Sequence, residues 1–237
     1  MRRVKVALEV LGFGLWGSGK ETFEADLVTF KTVVGGRVVP AIPGSYVKGL
    51  LRGWAHRLAP LLSAKGVIAA RANEDCSPRN PCRDCVVCAI FGAPGGAQSP
   101  LAVTNFYPVR ADALGSVKGA ELEDLLTQGG ARVWDAVELA YVPHVRICDA
   151  SAKAAEGGLF VQEAVPPRTT FVGELRLADH LLEGVEADDA MLLVALSLAQ
   201  LNHSYAGRRT RVRVRVLEHD APEGSRSRPV LEALGGV

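Results

Sequence analysis

The chain has 237 residues, of which 48% are hydrophobic and 22% are charged. At this length it can bury a substantial core, as one large domain or two small ones, without disulfide bridges. The formal net charge of +1 excludes a uniformly basic surface, so any contact with nucleic acid must come from local clusters of cations. No signal-peptide pattern opens the chain, and no apolar run is long enough to span a bilayer. We therefore expect a soluble, cytoplasmic protein with no membrane partner.

The first predicted element is a half-buried strand over Val4–Val10, where apolar and polar residues alternate. A glycine-rich segment follows, and its spacing matches neither the Rossmann nor the P-loop fingerprint, which argues against those nucleotide sites. Glu21, Glu24 and Asp26 then place three carboxylates in a predicted loop. Such a loop is either a solvated acidic turn or part of a functional site, and on its own it favours the solvated turn.

The clearest predicted helix begins after Pro43-Gly44, which ends an extended run, and continues to Leu62. Ser45 is predicted to be its N-cap, because a serine hydroxyl can accept a backbone N–H of the first turn. The buried face of this helix is predicted from apolar residues that recur with helical spacing: Val47, Leu50, Leu51, Trp54 and Leu58.

One flank of this helix carries a row of cations, because Lys48, Arg52 and His56 follow one another at intervals of four residues. The N-terminus of a helix also favours anions. Together these features indicate a site for a phosphate group. The local pattern by itself favours the plainer interpretation, in which the same residues form the solvated face of an amphipathic helix.

Four of the five cysteines lie close together in the sequence, at Cys76, Cys82, Cys85 and Cys88. Short Cys-x-x-Cys spacings let two sulfurs reach one ion, and four thiolates suffice for tetrahedral zinc. The spacing therefore predicts a structural zinc site, over free or redox-active thiols and over an iron–sulfur cluster. Zinc accepts three cysteines and a histidine equally well, so His56 is an alternative ligand in place of Cys76. Cys148 stands apart and is interpreted as a small core residue.

The later part of the chain is predicted to contain a hairpin, a buried helix and a tail. Phe160–Val165 and Thr170–Leu177 are interpreted as the two strands of the hairpin, separated by Pro166-Pro167, which cannot continue a ladder. Glu186–Leu201 is predicted to be the buried helix. From His219 onward the chain is polar and rich in glycine and proline, which is typical of a loosely held tail.

The stretch Arg211–Val216 alternates strictly between arginine and valine. In a strand this places three valines on one face of the sheet and three arginines on the other. The valine face is predicted to be core. The arginine face fits either a phosphate backbone or open solvent, and the pattern leaves both interpretations open.

Two motifs in the same order resemble those of the RAMP superfamily, the repeat-associated RNA-binding proteins of CRISPR systems. Ile42–Arg52, IPGSYVKGLLR, resembles the signature IPGSSLKGxLR, and Cys85–Gly92, CVVCAIFG, resembles the segment CxxCxLFG. The resemblance implies an α+β fold with a modified ferredoxin-like, RRM-like core. It also implies a single RAMP domain over residues 1–237, with a zinc-bearing insertion at 63–100 and a thumb hairpin at 142–158.

Within the superfamily, the chain looks most like the backbone subunit of a type III CRISPR effector complex. That resemblance implies that it binds guide RNA (crRNA), cleaves complementary target RNA, and assembles head to tail with its own copies and with other effector subunits. Asp26 matches the placement of the family's cleaving aspartate ahead of the IPGS turn. A carboxylate there could hold a divalent cation, Mg²⁺ or Mn²⁺, or orient the 2′-hydroxyl for in-line attack on the adjacent phosphate, and both roles stay open. The structural metal would be Zn²⁺.

Two alternatives follow from the same motifs. The chain could be a non-catalytic RAMP subunit that caps or scaffolds the complex, in which case Asp26 is inert. It could also be a standalone guide-RNA-processing endoribonuclease with a histidine base, although the cysteine cluster and the upstream aspartate count against this. In each case the resemblance implies the same RNA-binding candidates on the helix, the thumb and the loop before the last strand: Ser45, Lys48, Arg52, His144, Arg146, Arg208, Arg209 and Arg211.

Overall fold

The computed structural model describes residues 1–96, 98–128, 134–207 and 210–236. The strands in these ranges are β1 (Arg2–Val10), β2 (Lys31–Val34), β3 (Arg37–Pro40), β4 (Leu101–Val103), β5 (Tyr107–Val109), β6 (Ala140–Ile147), β7 (Ala154–Ala164), β8 (Thr170–Leu177) and β9 (Val212–His219). The helices are α1 (Gly44–Ala64), α2 (Val86–Phe91), α3 (Leu114–Val117), α4 (Leu122–Gln128), α5 (Ala187–Gln200) and α6 (Ser227–Gly235). No helix in this part of the chain is long and apolar enough to cross a membrane.

The main sheet is antiparallel, with strand order β4-β8-β1-β9, and β5 also pairs with β8. β1 lies in the middle, where Val6 is opposite Gly173 on β8 and Val216 on β9. The order along the chain is β1, α1, β4 with β5, β8, α5 and β9, which is the βαββαβ arrangement of a ferredoxin-like core. The predicted fold class, an α+β ferredoxin-like core, is confirmed.

The largest core lies between this sheet and helices α1 and α5. Alternate residues of β1, among them Val6 and Leu8, are buried toward the helices, as the period of two in a strand requires. Leu51 of α1 and Leu193 of α5 are fully buried in the same core. Both helices were predicted from the periodicity of their apolar residues, and both are confirmed.

The opposite face of the sheet has a second, smaller apolar cluster. The β2–β3 hairpin and the segment that follows β5 cover this face over the middle strands. Trp134 is buried there, and its indole N–H donates to the Leu125 carbonyl at 3.1 Å. The cover leaves the β9 side of the sheet face open near Glu9 and Arg213, since both side chains retain solvent exposure.

β6 and β7 form a separate two-stranded antiparallel hairpin, in which Val145 is opposite Leu159. The predicted hairpin between Phe160–Val165 and Thr170–Leu177 is therefore wrong. The Pro166-Pro167 break is where the chain leaves this hairpin and enters the main sheet, since β8 pairs with β1, β4 and β5 instead. The hairpin contains the segment predicted to be the thumb.

The predicted loose tail is also wrong, because the chain after His219 ends in helix α6. Leu231 of this helix is fully buried in the main core, together with Leu198 of α5 and Val216 of β9. The polar residues of this helix, such as Glu232, lie on its exposed face, as in a short amphipathic helix.

A buried carboxylate joins this C-terminal segment to the loop that follows α1. Asp189, in the first turn of α5, is 1% exposed. Its Oδ2 accepts the backbone N–H groups of Ala69 at 2.8 Å and Ala70 at 3.1 Å. Its Oδ1 accepts a hydrogen bond from Arg226 Nη2 at 2.5 Å, and the same guanidinium donates to the Val67 carbonyl. One side chain therefore fixes three separate segments.

We expect Asp189→Ala to lower the free energy of unfolding by about 2–4 kcal/mol, because two backbone N–H groups and a guanidinium lose their acceptor. Asp188→Ala is the matched control, since its carboxylate also binds Arg226 but is 26% exposed. Its expected cost is below about 1 kcal/mol, as for exposed ion pairs. Urea denaturation followed by circular dichroism measures the free energy of unfolding of both variants. Equal losses in the two variants would contradict the structural role of the buried Asp189 carboxylate.

Candidate nucleic-acid interface and metal centre

The first turn of α1 is fixed by residues far away in the sequence. The Gly44 N–H donates to Asn105 Oδ1 at 2.9 Å, and no side chain of the helix itself caps it. A Cβ at Gly44 would meet the Val103 carbonyl oxygen at 2.2 Å and that of Thr104 at 2.4 Å, so glycine is required for this close approach. The predicted N-cap at Ser45 is therefore wrong, because Asn105 supplies the acceptor and Ser45 lies exposed inside the first turn.

The predicted row of cations on α1 is present and partly buried. Lys48 Nζ donates to Ser99 Oγ at 2.6 Å, and the Arg52 Nε–H points to His56 Nε2 at 3.5 Å. Arg52 Nη2 is buried and has no hydrogen-bond partner among the described residues. Neither Lys48 nor Arg52 forms an ion pair with a carboxylate in the described ranges, where other arginines commonly do.

Within the described ranges, Lys48 and Arg52 lie close together without an ion-pair partner, and the His56 ring lies beside Arg52. Burial lowers the pKa of Lys48, and the neighbouring Arg52 charge lowers it further. Burial and the same guanidinium also lower the pKa of His56. A bound anion would reverse both effects, because an opposite charge favours the protonated form of each group. The arrangement therefore provides a site for a phosphate or another anion beside the helix.

The four clustered cysteines come together in the loop before α2 and in its first turn. The sulfurs of Cys76, Cys82, Cys85 and Cys88 all lie within 4.8 Å of one another, and those of Cys76 and Cys88 are 3.5 Å apart. Tetrahedral zinc with Zn–S bonds of about 2.3 Å places its sulfurs about 3.8 Å apart. The cluster is therefore compatible with a structural zinc site formed by four cysteines.

Backbone hydrogen bonds support this arrangement of sulfurs. The Cys82 N–H points to the Cys76 sulfur at 3.4 Å, and the Asp84 N–H points to the Cys82 sulfur at 3.5 Å. Such bonds orient thiolates and stabilise their charge. Burial alone raises the pKa of Cys82, but the Asp84 N–H and the neighbouring thiols outweigh it and lower that pKa to about 7. Burial raises the pKa of Cys76 and of Cys85, so a bound cation would be needed to keep these sulfurs as thiolates.

His56 is not part of this cluster, because its ring contacts Arg52 on α1, and the structure brings Cys76 to the other three sulfurs. Among the described residues, the cysteine cluster is the one group of His, Cys, Asp and Glu atoms close enough to share an ion. Cys148 lies just beyond β6 and is partly exposed, so the prediction that it belongs to the core is wrong.

Asp26 lies exposed on the loop before β2, next to the base of the β6–β7 hairpin. Its Oδ2 accepts the Val161 N–H at 2.7 Å, and its own N–H donates to the Val161 carbonyl at 3.0 Å. Glu24 is held to the same hairpin by the Tyr141 hydroxyl, which donates to its Oε2 at 2.9 Å. The acidic loop is thus tied to both strands of the hairpin. Asp26 belongs to no group of three or more possible metal-ligating side chains within the described ranges.

The remaining candidates lie at other places on the surface. His144 stacks on Phe160 across the hairpin, with ring centroids 5.2 Å apart and an angle of 22° between the planes. Arg146, two residues further along β6, is exposed at an irregularity in the pairing between Val145 and Ile147. Arg211 is exposed just before β9, whereas Arg208 and Arg209 lie outside the described residues. No local pattern indicates that Asn105 fixes the start of α1, since Gly44 and Asn105 meet only in the folded chain.

Fold and site together define a ferredoxin-like α+β protein that carries a four-cysteine cluster compatible with a structural zinc site. Its helix α1 also carries Lys48 and Arg52, which have no ion-pair partner in the part of the chain that the structure describes. The RAMP superfamily profile matches residues 17–213, which is most of the chain. The chain belongs to the RAMP superfamily. Among solved structures it is similar to a chain of the "Type IV-B CRISPR Complex", with a TM-score of 0.55 and 18% identity, covering 98% of this chain and 96% of that one. No curated protein is significantly similar in sequence.

Proposed function

We propose that this chain is an RNA-binding subunit of a CRISPR effector complex, which uses the cation row of α1 to hold a phosphate of guide RNA. The observation that carries the proposal is the buried Arg52 Nη2, which has no hydrogen-bond partner among the described residues and belongs to a guanidinium that neighbours the Lys48 ammonium and the His56 ring. Membership of the RAMP superfamily and the likeness to a chain of a CRISPR complex support it. Other copies of the chain and other effector subunits are its proposed partners.

The type III assignment rests on the motif resemblance. In that proposal, subunits associate head to tail along the guide and the target RNA pairs with it. The Asp26 carboxylate would orient the 2′-hydroxyl of the target and accept its proton as the 2′-oxygen attacks the adjacent phosphorus in line. The P–O5′ bond breaks, the 5′-oxygen leaves and takes a proton from water, and a 2′,3′-cyclic phosphate remains. Its exposure and its fixed position at the base of the β6–β7 hairpin support this role, because a residue that orients the attacking hydroxyl must be both accessible and held in place.

One observation favours the alternative of a non-catalytic subunit. The hydrogen bond from Val161 to Asp26 already gives this carboxylate a structural role, because it ties the acidic loop to β7. In that case Asp26 holds the loop and the cation row still holds RNA. The two functions share the RNA-binding surface and differ only in cleavage.

For the RNA-binding surface, we expect Arg52→Gln to weaken binding of guide RNA by roughly 10-fold, because it removes a charged phosphate contact. The slope of log K against log salt should fall by about 0.7, as for one phosphate of a single strand. Fluorescence anisotropy at several salt concentrations measures both quantities.

Arg57→Gln is the matched control for this test. Arg57 lies on the same helix but is exposed, with its guanidinium carbon 4.7 Å from the centre of the Trp54 ring. Its replacement removes the same charge and should leave RNA affinity within about twofold, in keeping with a phosphate contact that depends on position. If both variants weaken RNA binding equally, only the net charge of the protein matters, and the proposed phosphate site beside Lys48 and Arg52 is refuted.

A further inference from the structure

A second basic site lies on the other face of the main sheet from α1 and α5. It is a cavity of about 270 Å³, here named the arginine pocket. Its floor is the surface of β1, β8 and β9, and its rim comes from the turn before β8 and from the segment that follows β5. The residues that line it are Ala7, Glu9, Ala111, Leu114, Arg168, Thr170, Arg213 and Arg215.

The register of the strands explains why a cavity forms here. On β1, Ala7 is opposite Arg215 of β9, and Glu9 is opposite Arg213. On the other side, Glu9 is opposite Thr170 of β8. These residues share one face because side chains alternate along each strand. The short Ala7 side chain leaves space between the longer ones, so the arginines border a depression instead of a filled surface.

The charges in the pocket are unbalanced. Glu9 is its only carboxylate among the lining residues, and it lies 3.3 Å from the Arg213 guanidinium. Arg168 and Arg215 form no ion pair within the part of the chain that the structure describes. Two guanidiniums therefore face the cavity without a counter-charge, and the Thr170 side chain adds a hydroxyl donor.

Arg168 is brought to the pocket by a constrained turn. It follows Pro166-Pro167 and has φ = 69°, a left-handed conformation that is unfavourable for a residue with a side chain. Its N–H donates to the Val10 carbonyl at 2.7 Å, which fixes the turn to the end of β1. The side chain is exposed, so its guanidinium is available to a ligand.

We propose that the arginine pocket binds a backbone phosphate of RNA, as a second contact separate from the cation row of α1. Guanidiniums suit phosphate because their planar N–H groups match its oxygens in pairs. The two sites lie on opposite faces of the sheet, so one phosphate cannot occupy both. This proposal rests on the proposed function, since it assumes that RNA is the ligand of the chain.

The test uses two variants with opposite expected effects in the same pocket. Arg215→Gln should weaken binding of an unstructured 30-nucleotide RNA about 3- to 10-fold, with a salt slope lower by about 0.7. Glu9→Gln should tighten binding, because it removes the negative charge that opposes a phosphate. A merely structural role for these residues would not predict tightening. Arg168→Gln, on an exposed turn, repeats the first test at a position where the fold is not at risk.

Arg228→Gln on α6 removes an exposed arginine elsewhere and serves as the control, which should bind RNA like the unmodified chain. ATP added as a competitor separates a nucleotide pocket from an RNA contact: displacement of RNA by ATP at micromolar concentration would overturn the RNA assignment. Unchanged affinity in the Arg215, Arg168 and Glu9 variants, with weaker binding by Arg52→Gln, would overturn the pocket alone. Unchanged affinity in Arg52→Gln, with the pocket variants responding, would instead overturn the α1 site.

Discussion

Cys85→Ser is expected to abolish stoichiometric zinc binding and to lower the free energy of unfolding by at least about 3 kcal/mol. The purified protein should carry about one zinc per chain, as a closed site with four protein ligands requires. Cys85 is 3% exposed, and the helix that begins directly after it buries Ile90 and Phe91 in the main core. Loss of the metal should therefore disturb the core as well as the loop of cysteines.

The control for the zinc site is Cys148→Ser, which removes a cysteine outside the cluster and should leave zinc content and stability unchanged. His56→Gln should also retain zinc, since the four sulfurs already lie within reach of one ion. Metal analysis by mass spectrometry and urea denaturation, with and without a chelator, provide the measurements. A protein that is purified without zinc and tolerates Cys85→Ser would refute the metal centre.

Much of the ferredoxin-like core is predictable from the sequence because burial on one face leaves a local period. Val212, Val214 and Val216 alternate with arginines, and all three valines are buried while Arg211 and Arg213 are exposed. The same logic identifies α1 and α5 from apolar residues at helical spacing. Such patterns can be recognised without knowing which elements pack against each other.

The pairing of strands cannot be read in this way. The residues of β7 and β8 indicate strands correctly, but their nearness in sequence suggests one hairpin, whereas the structure pairs β8 with β1 at the start of the chain. Helix α6 is missed for a related reason, since it is only nine residues long and its buried Leu231 gains meaning only from the core it meets. Both errors concern long-range contacts, which local patterns do not record.

The candidate sites also differ in whether local sequence patterns predict them. The cysteine cluster can be predicted from the sequence because its four residues are close together in the chain. The row of Lys48, Arg52 and His56 can be predicted because the three residues lie on one helix. The Asn105 acceptor at Gly44 and the pairing of Glu9 with Arg213 join residues that are far apart in the chain. Neither has a local signal, and the arginine pocket arises only once β1, β8 and β9 are side by side.

The largest functional effect is expected from Asp26, which separates a cleaving subunit from a scaffold. Asp26→Asn should lower cleavage of matched target RNA by roughly 10²-fold or more, the scale expected for a positioned acid–base group. An asparagine oxygen can still accept the Val161 N–H that now reaches Asp26 Oδ2 at 2.7 Å, so the loop should keep its position. Affinity for guide and target should be kept or slightly tightened, because the carboxylate repels phosphates and its neutralisation removes no attractive contact.

The experiment requires the assembled complex with its guide, a matched target RNA, and magnesium or manganese in the buffer. Glu24→Gln is the matched control, because it neutralises a neighbouring carboxylate of the same loop while leaving an acceptor for the Tyr141 hydroxyl. The Glu24→Gln complex should cleave the target RNA at the wild-type rate. Full cleavage by Asp26→Asn would refute the catalytic role, and a wild-type complex that binds target without cutting it would establish the scaffold function. Loss of cutting in Asp26→Asn alone, with binding and stability retained, would identify Asp26 as the residue that acts on the scissile phosphodiester.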